Sequence, residues 1–321
     1  MTARQAWRWA KWPLVVVVAA LGLREAWRFP WHLTLHALRA AEPLPLLAAL
    51  GINLVSLFSK GLAWHLLLRP VAPNRWWVAQ EANLISSAAS NLSVPVGEAA
   101  RVHLIATREG VPVQTAVASV VWTRGVELLG LALLLLLAPN FQEESSPLVR
   151  WLQVGAGVSL ALLFALVWSR KAPRLLQLLP RVAQPTVASF AEIGTGARLR
   201  WPTLLALVNW VTQWMTFHWV FLALQIPISY SASFAAVIAT NVAGFLRLTP
   251  ANFGILQTSM ALVLLPFGVQ PEQAVAAGLA LQAIQVLPVL ALAMLFTGWK
   301  GLLRTGSKEM RPPGDATPGE P

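Results

Sequence analysis

Apolar runs long enough to cross a bilayer recur along this chain, and proline interrupts the pattern in two places. Residues 44–68 carry Lys60 and His65 as their only ionisable members. An α-helix of that length, rising about 1.5 Å per residue, covers about 30 Å of hydrocarbon with tilt to spare. Residues 111–138, 152–168, 203–224 and 274–299 form four comparable runs, and a sixth at 9–28 follows Arg4, Arg8 and Lys11. Arg24 and Glu25 stand where a cleavable signal needs small residues, so this first run reads as a retained helix. Hydrocarbon offers no partners to a backbone, and helices of this length satisfy their own. The expected fold is an all-α polytopic membrane protein with six full transmembrane helices.

Two further apolar stretches are broken. Residues 81–106 are interrupted at 91–98 by a segment containing Pro95 and Gly97, and residues 231–268 are interrupted at 248–254, which contains Pro250 and Gly254. Proline removes a donor and clashes with the preceding turn, and the freed groups are tolerated at depth only where protein or water surrounds them. Each stretch is therefore expected to form a broken or re-entrant helical hairpin, or a short crossing pair, packed inside the bundle of six.

Charge asymmetry supports this count. Residues 169–200 hold six basic residues against Glu192 and should face the cytoplasm, whereas 140–150 hold Glu143 and Glu144 against Arg150. With six crossings and both hairpins returning to their own side, the N- and C-termini are cytoplasmic in the cell inner (plasma) membrane. The hairpins then enter from opposite faces, as in inverted repeats with a site near the midplane. Residues 1–305 are expected to form one integral membrane domain. Within it, 169–202 is a basic loop or an interfacial helix around 175–183. The Pro- and Gly-rich tail from 306 to 321 should be disordered.

Composition removes whole classes of function. Charged residues are 12% of the 321, against about 25% in soluble domains, which excludes a soluble enzyme. The only aspartate, Asp315, is in the tail, so mechanisms built on paired aspartates are out. Cysteine is absent, and with it thiolate chemistry. The net charge of +11 is spread over membrane-flanking loops without a nucleic-acid motif, so no nucleic-acid partner is expected. His32 and His36 lack a third ligand, and no phosphate-loop Gly-Lys-Ser/Thr occurs, so neither metal nor cofactor is expected.

The charges within the apolar body come in pairs. Glu98 and Arg101 are three apart, as are Arg124 and Glu127, a spacing that puts both members of each pair on one helix face. Arg247 precedes the second break with no acid near it in sequence. A charge at depth costs about 3 kcal/mol on insertion scales and needs a partner or a task. The pairs could simply knit helices together. Alternatively Arg101, Arg124 and Arg247 receive an anionic headgroup in a cavity toward which the breaks aim helix N-termini at Gly97 and Gly254, with Glu98 and Glu127 as pairing or coupling acids. Asn91, Asn241, Asn252 and Gln257 would satisfy freed backbone or line that cavity.

Three stretches carry a resemblance: residues 91–104 (NLSVPVGEAARVHL), 121–131 (VWTRGVELLGL) and 248–260 (LTPANFGILQTSM). In order and spacing they resemble the signature segments of the lysylphosphatidylglycerol synthase transmembrane region, also described as flippase-like membrane proteins. Gly97, Glu98 and Arg101 match the first segment, Arg124 and Glu127 the second, and Thr249, Pro250 and Gly254 the third. Thr123 stands where the family usually has Glu, Ala251 and Asn252 where it has Gly-Gly, and Gln257 where it has Glu. The resemblance implies a membrane protein that moves or presents anionic phospholipids or lipid-linked intermediates between leaflets. Members that lysylate lipid use a separate cytosolic domain, and without one this chain is not expected to be an enzyme. Membrane lipids are the expected partners. The competing expectations are a non-catalytic accessory subunit beside a lipid or glycan transferase, and a lipid transferase using Glu98 or Glu127 as base.

Overall fold

A computed structural model describes residues 27, 29–137, 155, 158, 186, 189, 192–194, 196–244 and 249–309. The expected spans at 9–28 and 152–168, the interfacial helix at 175–183 and Arg247 lie outside the described residues. Among the described residues the secondary structure is helical throughout. In chain order the helices are α1 (Trp31–Arg39), α2 (Pro43–Leu68), α3 (Trp76–Ser90), α4 (Val94–Glu109) and α5 (Val113–Leu137). They continue with α6 (Arg200–Ala223), α7 (Tyr230–Gly244), α8 (Ile255–Leu264) and α9 (Pro271–Glu309). Short 3₁₀ turns at Gly196–Leu199, Pro250–Asn252 and Leu265–Phe267 join them.

Among the described residues three helices are long and apolar enough to cross a membrane: Pro43–Leu68, Val113–Leu137 and Pro271–Thr297. α6 matches them in length but carries Arg200, Asn209, Gln213 and His218. Their outward faces expose Leu44, Leu47, Phe58, Val121, Leu287 and Met294, large apolar side chains suited to contact with lipid. α9 runs on to Glu309 and carries Pro288 within it.

α2 lies along α6, with Ser56 Oγ donating to Asn209 Oδ1 at 2.6 Å between them. α5 crosses α6 at Gly130, where a Cβ would come 2.8 Å from the Ala206 backbone carbonyl carbon. The main core gathers Phe217 and Phe221 of α6 with Phe234 of α7, Met260 and Leu264 of α8, and Leu281 of α9.

Both broken stretches fold as helical hairpins. In the first, α3 and α4 are antiparallel arms. At the tip Gly97 meets Ser86 and Ser90, and at the base Arg108 pairs with Glu81. The base also carries the Arg75–Glu109 pair at 2.8 Å and the exposed Trp76 and Trp77, residues typical of a membrane–water interface. The chain turns earlier than the sequence suggests: residues 91–93 make the turn, and α4 begins at Val94. Pro95 sits in the first turn of α4, where its missing N–H has no helical partner to lose. Gly97 is therefore no helix terminus. A Cβ there would lie 2.0 Å from Ser90 Oγ and 2.5 Å from the Ser86 carbonyl oxygen, so glycine is what lets the two arms touch.

In the second hairpin α7 and α8 flank a turn that contains the Pro250–Asn252 segment, with Gly254 as N-cap of α8. Ala251, Asn252 and Gly254 have φ of 51°, 55° and 85°. This left-handed run reverses the chain within a few residues.

Candidate functional site

The two hairpin tips meet. The Ala251 N–H donates to the carbonyl oxygen of Asn91, so each break satisfies a backbone group of the other. Gln282 of α9 ties the junction to the bundle: its Nε2 donates to the Ala251 carbonyl at 2.9 Å, and its Oε1 accepts from Gln257 Nε2 at 2.7 Å. Gln257 Oε1 in turn caps the Gly254 N–H at 2.8 Å. One chain of amides thus runs from the start of α8 through α9 to the first hairpin.

Below this junction lies a cavity of about 1000 Å³. The tips contribute Asn91, Ser93, Pro95, Thr249, Ala251 and Asn252 to its wall. The surrounding helices contribute Asn53, Ser56 and Lys60 from α2, Arg124 and Glu127 from α5, Asn209 and Gln213 from α6, and Gln282 and Gln285 from α9. α4 and α8 both begin at this wall, which brings the positive ends of two helix dipoles to it.

The charged residues form one cluster across α2, α4 and α5. Arg124 Nη1 donates to Glu127 Oε2 at 2.8 Å, and Arg124 Nη2 donates to Glu98 Oε1, so one guanidinium is clasped by two carboxylates. Arg124 and Glu127 line the cavity; Glu98 and Arg101 stand behind them. Arg101 is buried, with its guanidinium 4.0 Å from the centre of the Trp64 ring and Nη1 3.7 Å from Glu98 Oε2. Trp64 is held by its own indole N–H, which donates to Ser119 Oγ at 2.9 Å. Such a guanidinium–aromatic contact offsets part of the cost of removing Arg101 from water. Glu127 is further anchored through its backbone, whose carbonyl accepts from Trp210 Nε1 at 2.7 Å.

The expected site residues therefore divide. Arg124, Glu127, Asn91, Pro95 and Asn252 border the cavity; Gln257 and Gly254 support its roof; Glu98 and Arg101 form a layer behind its wall. Gly97 serves packing, and Arg247 lies outside the described residues. Asn241 also lines the cavity, donating to Gln213 Oε1 at 3.3 Å.

Lys60 was not singled out as a site residue from the sequence, nor were Asn53, Ser56, Asn209, Gln213, Gln282 and Gln285. A signal for them exists. Asn53, Ser56 and Lys60 recur at spacings of three and four on an apolar helix, Asn209 and Gln213 are four apart, and Gln282 and Gln285 three apart. Each set makes a polar stripe on one helix face. Among the described residues no group of three or more His, Cys, Asp or Glu side chains is placed to hold a metal ion.

Comparison with known families gives a match over most of the chain: the family model described as the lysylphosphatidylglycerol synthase TM region covers residues 12–293. No curated protein matches. With its apolar helices, the match makes this a membrane-embedded protein.

Proposed function

The chain belongs to the lysylphosphatidylglycerol synthase TM-region family, and from that premise we propose that it moves anionic phospholipids or lipid-linked intermediates between leaflets. One observation carries this reading: both hairpin tips close over a single cavity whose wall holds Lys60 and Arg124. Broken helices whose N-termini border a polar cavity at membrane depth suit an anionic ligand. In this reading six helices cross the membrane, two of them at 9–28 and 152–168. The hairpins are re-entrant from opposite faces, and both chain termini lie in the cytoplasm. The pairing of Glu98 and Glu127 with Arg124 favours transport over lipid transfer, since both carboxylates are already engaged by one guanidinium.

Translocation is measured with the purified protein in phosphatidylcholine liposomes, using a headgroup-intact fluorescent phosphatidylglycerol and an outer-leaflet quencher. The wild type should expose inner-leaflet probe faster than protein-free liposomes, and Arg124→Ala, Arg101→Ala or Arg247→Ala should slow it. Equal rates with and without wild-type protein overturn the reading.

A further inference from the structure

α9 carries a proline where a helix needs a donor. Pro288 has no N–H and its ring crowds the carbonyl four residues back, so the Ile284 carbonyl loses its helical partner. That carbonyl is met from another helix: Asn53 Nδ2 of α2 donates to it at 2.9 Å. A carbonyl left unmet inside a membrane protein is costly, and here one side chain supplies what the proline removed. Asn53, Gln285 and Val289 all border the cavity, so the repair is made at its edge.

The parts of α9 on either side of Pro288 belong to different bodies. Before it, Ala274, Ala277 and Leu281 are buried in the main core with Phe234 of α7 and Met260 of α8. Gly278 brings α8 close, since a Cβ there would lie 3.1 Å from Gln257 Cγ. Gln282 adds its bonds to Gln257 and to the Ala251 carbonyl. This part of α9 is fastened to the second hairpin. After Pro288, Val289 is buried with Leu57 of α2 and Leu84 of α3, and Leu292 and Phe296 pack against the same cluster beside Ala88. That part is fastened to α2 and the first hairpin. α9 thus passes from one body to the other at Pro288, and the bond between Asn91 and Ala251 spans the same divide at the tips.

A helix with every backbone bond in place resists bending, and sharp bends gather at prolines. Hinges are a few such positions that absorb a change of backbone angle while packed bodies on either side move as units. We infer that Pro288 is a hinge between the two hairpins and Asn53 its latch. Bending at Pro288 draws the Ile284 carbonyl away from Asn53, parts the tips and opens the cavity, and water entering the cavity then takes the place of Asn53. The hinge governs access to the cavity and is indifferent to what occupies it.

The test measures the separation of the hairpins directly. The chain has no cysteine, and Leu92 in the first turn and Leu262 on α8 are both exposed. Spin labels on full-length Leu92→Cys/Leu262→Cys protein in phosphatidylcholine nanodiscs should report two distances by pulsed electron paramagnetic resonance, the shorter one from the closed arrangement. Asn53→Ala removes a bond made only in that arrangement and should raise the ratio of long to short distances by about threefold or more. Pro288→Ala returns an N–H to the Ile284 carbonyl, stiffens α9 and should lower the ratio by about threefold or more. With Pro288→Ala present, Asn53→Ala should have no further effect, because the carbonyl has its helical partner back. A ratio that neither substitution moves, or an Asn53→Ala effect that persists in full beside Pro288→Ala, overturns the hinge. Should Asn53→Ala fail to fold, Pro288→Ala decides alone, since it restores a helical bond. Tips that part in this way in a protein that translocates no lipid would remove the transport reading alone, and translocation with tips that never part would remove the hinge alone.

Discussion

Asn91 and Ala251 are joined backbone to backbone, carbonyl to N–H, and through that bond each hairpin completes the other. Neither tip could lie in hydrocarbon alone, because each would leave an unsatisfied polar group costing several kcal/mol. Their contact roofs the cavity and places the starts of α4 and α8 on the same wall.

The geometry of Ala251 makes it replaceable. Its φ of 51° lies in the left-handed region, which an alanine Cβ disfavours and glycine adopts freely. Ala251→Gly should stabilise the protein by about 1 kcal/mol, seen as a higher midpoint of thermal unfolding in detergent. Asn252→Gly should change it less, since asparagine tolerates this conformation at a φ of 55°.

Gly97 and Gly51 should respond in opposite senses to the same substitution. Gly97→Ala drives a methyl group into Ser90 and the Ser86 carbonyl and should cost about 1–3 kcal/mol as the hairpin arms separate. Gly51 has open space around its Cβ position on α2, so Gly51→Ala should be neutral or stabilising by up to about 1 kcal/mol. Paired unfolding curves check both.

Arg124 stabilises through two carboxylates at once. Removing it in Arg124→Ala leaves Glu98 and Glu127 facing each other and should destabilise by about 1 kcal/mol, since Arg124 is half exposed and solvent screens the pairs. The Arg124→Gln/Glu98→Gln double variant should recover part of that loss, because only one of the two facing carboxylates then remains. A double-mutant cycle in detergent measures the coupling.

Gln257 suits its place because an amide both accepts and donates. Gln257→Glu still caps the Gly254 N–H but has no hydrogen to offer Gln282 Oε1. Gln282 must then turn its Nε2 toward the carboxylate and release the Ala251 carbonyl. The expected cost is about 1–3 kcal/mol, with faster amide hydrogen exchange at the hairpin junction.

Much of the fold can be read along the chain. Apolar runs longer than a bilayer mark helices, proline marks where they break, and a spacing of three puts Arg124 and Glu127 on one face, because each depends only on near neighbours. The break at Pro95 was legible, yet its position shifted to 91–93, since a proline suits the first turn of a helix as well as a gap between helices. Lys60 left a trace in the stripe with Asn53 and Ser56, but periodicity gives a face and not what the face looks upon.

By itself the sequence determined that this chain is helical, largely apolar and interrupted twice, because backbone hydrogen bonding and hydrophobic transfer act on each segment independently. Only the tertiary structure decided that Glu98 reaches across to Arg124, that Arg101 withdraws behind Trp64, and that Lys60 shares the cavity wall with Glu127. The reason is geometric. Ion pairs and cavities belong to the spaces between helices, and those spaces exist only once the packing of distant segments, Gly97 on Ser90 and Ala251 on Asn91, has set which faces meet.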